Sequence, residues 1–60
     1  MDYLMKQVQM ELAEMAYHGM RVPEAAFVAA EDATIIKEFA DMSVSDIAEM
    51  LIDIASIRAQ

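Results

Sequence analysis

The chain has no cysteine and no tryptophan, one glycine, one proline and one histidine. Each scarcity closes a route. Without cysteine there is no disulfide framework and no thiolate–zinc site. A single histidine cannot make a histidine-rich metal centre. A lone glycine cannot build a Gly-rich phosphate loop, and the acids alternating around a glycine that mark a calcium loop are missing. Positive charge is scarce as well: Lys6, Arg21, Lys37 and Arg58 stand apart from one another against eleven acids, giving a net charge of −7 and a pI near 4.2. Binding to phosphate backbones or anionic lipid relies on clustered Lys and Arg. Direct nucleic-acid binding and membrane-surface binding are therefore not expected. The longest unbroken apolar run is Ala25–Ala30, far below the roughly 20 residues of a membrane-spanning helix. The first residues interleave polar groups from Asp2 onward, unlike a basic segment followed by an apolar core. The expectation is a cytoplasmic protein, and lack of cysteine agrees with a reducing compartment.

What the chain has in excess is apolar surface. Residues of hydrophobic type make up 58% of the 60, where an ordinary domain has about 45–50%. A chain this short forms one domain and buries only about 60% of the surface its unfolded form exposes. Small scaffolds compensate with disulfides, a metal or self-association, and composition leaves the last. The predicted fold class is all-α: a compact three-helix domain, a helical hairpin plus a C-terminal helix, assembled as a symmetric homo-oligomer.

The helix limits follow from punctuation. Gly19 suits the left-handed position beyond a helix end, with His18 before it at the negative end of the dipole. Pro23 and Glu24 suit a first turn. Ser43, with Asp46 three residues on, resembles a capping box, and Ser45 is an alternative cap. These signals predict helices at roughly 2–18, 23–41 and 45–58 within a single domain of residues 1–60.

Helix one carries two apolar stripes. Met1, Met5, Val8, Leu12 and Met15 alternate steps of four and three, the seam of a coiled-coil-like contact. Tyr3, Met10 and Tyr17 repeat every seven residues on a different face, with Met20 nearby. One buried stripe is enough for a helix in a three-helix monomer, so the second asks for a partner. Helix two divides into a low alanine face (Ala26, Ala29, Ala30, Ala33 and Ala40) and a bulky side of Val28, Ile35 and Phe39. Glu24, Glu31 and Glu38 mark its solvent face, with Phe27 beside that row. In helix three the polar stripe of Asp46, Glu49, Asp53, Ser56 and Gln60 is narrow, and apolar residues cover most of the circumference. Burying one Ile or Leu is worth roughly 1.5–3 kcal/mol, and three short helices in a monomer offer no central position. At least a dimer is expected, with Met5, Val8, Leu12, Ile47, Leu51 and Ile54 at the oligomer interface.

Material for chemistry is thin. Glu11, Glu14 and His18 share a face of helix one at spacings that occur in bundle metal sites, but such sites draw ligands from several helices. An acidic solvated face with a histidine at the helix C-terminus accounts for them, so no metal and no cofactor is predicted. Thr34, Ser43, Ser45 and Ser56 are the only aliphatic hydroxyls. Capping accounts for the first two serines, and the sole histidine lies on another helix, so an enzyme is not expected. Ser43 to Leu51 has the cadence of the first helix of a helix-turn-helix, but Ile52-Asp53-Ile54-Ala55 continues the helical pattern where a turn should come.

Seven methionines in 60 residues is an unusual number for a chain this short. Methionine is flexible and polarizable, and with aromatics it is enriched at interface cores. Tyr3, Met10, Tyr17, Met20 and Phe27 are the candidate partner-binding residues. The expected function is non-catalytic: a small acidic helical protein that self-associates and binds another, unidentified protein as an inhibitor or regulator. In size and charge alone it resembles the class of phage and mobile-element inhibitors, which would place it in a host-cell cytoplasm. Two alternatives remain at this point. Its carboxylate rows, Glu24/Glu31/Glu38 and Asp46/Glu49/Asp53, would mimic nucleic-acid phosphates, or the chain is an oligomeric scaffold.

Overall fold

The computed structural model describes residues 3–58. It contains four helices, α1 (Tyr3–Tyr17), α2 (Glu24–Ala29), α3 (Ala33–Glu38) and α4 (Val44–Arg58), and no strand among the described residues. The expected start of the first helix at residue 2, and the roles given to Met1 and Gln60, fall outside that range. The radius of gyration is 10.4 Å, which is about the value for a compact chain of this length.

The end of α1 is a Schellman motif. Gly19 has φ +95°, its N–H donates to the Ala16 carbonyl at 3.1 Å, and the Met20 N–H donates to the Met15 carbonyl at 3.0 Å. Two carbonyls that the helix end would leave unpaired are thereby satisfied. Pro23 is the N-cap of α2 (φ −62°, ψ 147°), with Glu24 in the first turn. The start of α4 is capped by Ser43, whose Oγ accepts from the Asp46 N–H at 3.2 Å. Ser45 is not the cap. Its hydroxyl instead points to Glu11 Oε2 at 3.4 Å, a long contact tying α4 to α1.

The middle of the chain departs from expectation. The single helix expected over 23–41 is two short helices, and the three-helix architecture becomes four. Asp32 takes an extended conformation (φ −97°, ψ 107°) and accepts from the Thr34 N–H at 2.9 Å. This short-range bond offers the backbone an alternative to continuing the helix. The break leaves C-terminal carbonyls of the first piece in need of donors. Gln9 of α1 answers one of them, donating from Nε2 to the Ala30 carbonyl at 3.1 Å in a partly buried position.

The core is built from Val8 and Leu12 of α1, Ala26 and Ala30 of the α2 segment, Ile36 of α3, and Ile47, Ala48, Leu51 and Ala55 of α4. No polar or charged residue is buried among the described residues. Helix α4 packs against both α1 and α2, while α3 packs on α1. Ala26 and Ala30 are fully buried, so the small side chains let α2 approach α4 closely. A straight helix of 19 residues would run about 28 Å and meet its neighbours along one line. Breaking it lets its two halves cover different helices. Within one chain α4 buries a single face, Ile47, Ala48, Leu51 and Ala55, against α1 and α2, while Met50 and Ile57 on its other apolar flank stay exposed.

Candidate interaction surface

On α1, Val8 and Leu12 point into the core. Tyr3, Met10 and Tyr17 lie about 180° around the helix from them, within roughly 40° of one another. Their side chains are 69, 63 and 87% exposed. The fold positions this stripe simply by burying the other face of a rigid 15-residue helix. Tyr17 also meets the ring of His18 edge-on, with centroids 5.5 Å apart and planes at 79°. Met20, in the turn after α1, is also exposed. Four of the five expected partner-binding residues are thus on the surface, three of them along one helix face. Phe27 is elsewhere: it sits on α2, half-buried against the core.

Beside Met10 an open groove of about 340 Å³ is lined by Gln7, Met10, Glu11, Glu14 and Val44. One wall is α1 and the other is the first residue of α4. Met10 belongs to both the stripe and the groove, so the two form one continuous surface. Lys6 is exposed and lies on the other flank of the stripe from Gln7 and Glu14, as the 100° step per residue requires.

The residues expected to form an oligomer seam are placed differently. Val8, Leu12, Ile47 and Leu51 are closed to contact from outside, buried between helices of the same chain. Met5 packs against that core, and Ile54 is half-buried. The four-three spacing in α1 therefore reports a helix pair within one chain, α1 on α4. Sequence periodicity cannot separate the two cases, because a knob fills a hole equally well whichever chain supplies the hole.

Two further apolar features lie outside the expected partner-binding residues. Val28 is exposed because it falls two residues from both Ala26 and Ala30, which are buried, and so lies on the opposite side of α2. On α4, Met50 and Ile57 are exposed and Ile54 is half-buried. At positions i, i+4 and i+7 they make an aliphatic shoulder between the core face and the acidic face. The spacing is visible in the sequence, but which apolar side stays uncovered depends on where α2 docks.

The carboxylate rows also differ from expectation. Glu24 opens α2, Glu31 lies in the turn between helices and Glu38 closes α3, so no single helix face carries them. Asp46, Glu49 and Asp53 remain together on α4 and are all exposed. Among the described residues, no three of His, Asp or Glu, the Glu11/Glu14/His18 set included, are grouped as a metal site would need. No described helix is long and apolar enough to cross a membrane. No family model, no curated protein and no solved structure matches the chain.

Proposed function

We propose that the protein is a non-catalytic binding module that acts by occupying the surface of another protein, as an inhibitor or regulator does. The supporting observation is the exposure of Tyr3, Met10 and Tyr17 along one face of α1 while the core closes without them. Tyrosine and methionine are among the residues enriched in interface cores, and tyrosine dominates binding hot spots. A surface residue that contributes nothing to the fold costs nothing in stability when it is replaced by a polar one. Three such residues in register on a rigid helix are most simply accounted for by a partner. The test is affinity capture from the source cell with the wild-type chain and with Met10→Asp as baits. The reading expects a protein retained by the first and lost with the second. Identical captured sets from both baits would defeat it. A protein that the Met10→Asp bait still retains, and that is lost steeply as salt is raised, fits phosphate mimicry by Asp46, Glu49 and Asp53 instead.

Self-association is a second reading, supported by the Met50–Ile54–Ile57 shoulder, of which Ile54 belongs to the seam expected from sequence. Exposed aliphatic residues in a row favour pairing with a second copy. Sedimentation velocity over a dilution series should then show a dimer that Ile57→Asp converts to monomer without loss of helicity. A wild-type chain that stays monomeric at high concentration removes this reading.

A further inference from the structure

The groove beside Met10 identifies the chemistry of the partner more closely than the stripe does. Its residues are of two kinds. Met10 and Val44 supply apolar surface, and Glu11 and Glu14 supply carboxylates on neighbouring turns of α1. The Ser45 hydroxyl at 3.4 Å from Glu11 Oε2 sits at the α4 side of this groove. A long basic side chain suits such a place: its methylene stem lies along apolar surface while its charged head reaches carboxylate oxygens. The adjoining stripe of Tyr3, Met10 and Tyr17 matches the length of a helix rather than that of a single side chain.

We propose that this face of α1 binds a basic amphipathic helix of another protein, with a Lys or Arg of that helix seated in the groove between Glu11 and Glu14. The partner's apolar row covers Tyr3, Met10 and Tyr17, and its basic edge lies toward α4, away from Lys6. Charge selects this occupant over a second copy of the chain. Each copy carries −7, and an antiparallel two-fold pairing of α1 would bring the Glu14 edges of both copies to the same side of the seam. A basic helix meets the same edge with opposite charge, which raises the rate of encounter as well as fixing orientation.

The inference rests on the protein-binding reading above, and the experiment separates the two. Two 15-residue helical peptides with identical leucine patterns are titrated into ¹⁵N-labelled protein, one with lysine on its polar face and one with glutamine. The lysine peptide is expected to shift the amides of Gln7, Met10, Glu11, Glu14 and Val44 in a saturable way, and the glutamine peptide to bind at least roughly tenfold more weakly. The pair Glu11→Gln/Glu14→Gln should weaken the lysine peptide by about tenfold. Glutamine retains an oxygen for the Ser45 contact, so the folded spectrum is retained. The pair Glu31→Gln/Glu38→Gln changes net charge equally and should leave binding as it is. Equal weakening by both pairs would show attraction to net charge alone and overturn the inference. Equal binding of the two peptides at the α1 face would overturn it while leaving the protein-binding reading standing. Shifts confined to Asp46, Glu49 and Asp53, or a chain already dimeric through α1, would overturn it as well.

Discussion

Helices α1 and α4 are each 15 residues long, and each carries more apolar surface than one buried stripe requires, yet they are covered differently. Helix α4 packs one face against both α1 and α2, and four of its residues reach the core. Helix α1 contributes two fully buried residues and turns Tyr3, Met10 and Tyr17 outward. An apolar pattern reports how much of a helix would gain from burial. Coverage is decided by the rest of the chain. Here α1 and α2 cover the core face of α4 and leave its Met50 and Ile57 flank open, while α1 keeps Tyr3, Met10 and Tyr17 bare on the side away from its three neighbours.

The largest contrast between the two helices comes from placing a charge on each in turn. Leu51→Asp puts a carboxylate into the contact of α4 with its neighbours, where nothing pairs with it. The loss of the leucine and the burial of the charge together cost upwards of about 3 kcal/mol. A 60-residue chain has roughly 3–9 kcal/mol in total, so the variant should show no cooperative thermal transition by circular dichroism. Met10→Asp makes the same kind of change on the outer face of α1 and should keep its melting temperature to within a few degrees. If Met10→Asp unfolds the chain, the outer face of α1 is covered after all.

The next effects in size come from the ends of the helices. Gly19 has open space where a Cβ would be, so Gly19→Ala meets no clash. It is strained only by its backbone, with φ +95°, and should lose about 1 kcal/mol. Asp32→Ala removes the side-chain acceptor of the Thr34 N–H and should also cost about 1 kcal/mol. Either change should lower the melting temperature by roughly 4–8 °C. For Asp32→Ala, hydrogen exchange should accelerate first at Thr34 and Ile35. Unchanged exchange there would mean that packing of Ile36, rather than the cap, holds the break.

How much of this is legible in the sequence follows the range of the interaction involved. Gly19 and Ser43 act within three residues of themselves, and the ends they mark can be read from spacing alone. The break at Asp32 is equally local, with its acceptor two residues before the donor. It is hidden because Ala26, Ala30 and Ala33, at steps of four and three, keep an apolar rhythm across it that reads as one helix. Gln9 gives no signal at all, since its bond to Ala30 spans 21 residues and exists only once the break has freed that carbonyl. The placing of the expected seam has a similar origin: Val8, Leu12, Ile47 and Leu51 are covered by helices of their own chain, and those contacts are long-range and invisible to spacing alone. Of the candidate site, Tyr3, Met10 and Tyr17 can be read from a seven-residue repeat. Val44 and the groove cannot, because that wall comes from another helix.

The outer face of α1 should tolerate truncation at its C-terminal end with almost no loss of stability. Tyr17 is 87% exposed, and its contact with His18 is between two surface rings. Tyr17→Ala should therefore change stability by no more than about 0.5 kcal/mol, which a denaturant titration would resolve only as a marginal shift in midpoint. The same substitution removes an aromatic anchor from the end of the α1 stripe, where a truncated hot-spot tyrosine costs about 2 kcal/mol or more of binding. A protein retained by the wild-type chain should then dissociate at least roughly tenfold faster from Tyr17→Ala, by surface-based kinetics at fixed salt. Large loss of binding with a nearly unchanged unfolding midpoint is the signature of a face that serves a partner. A fall in both would instead place Tyr17 in the support of the α1 end, next to the Gly19 turn, and the open face would shrink to Tyr3 and Met10.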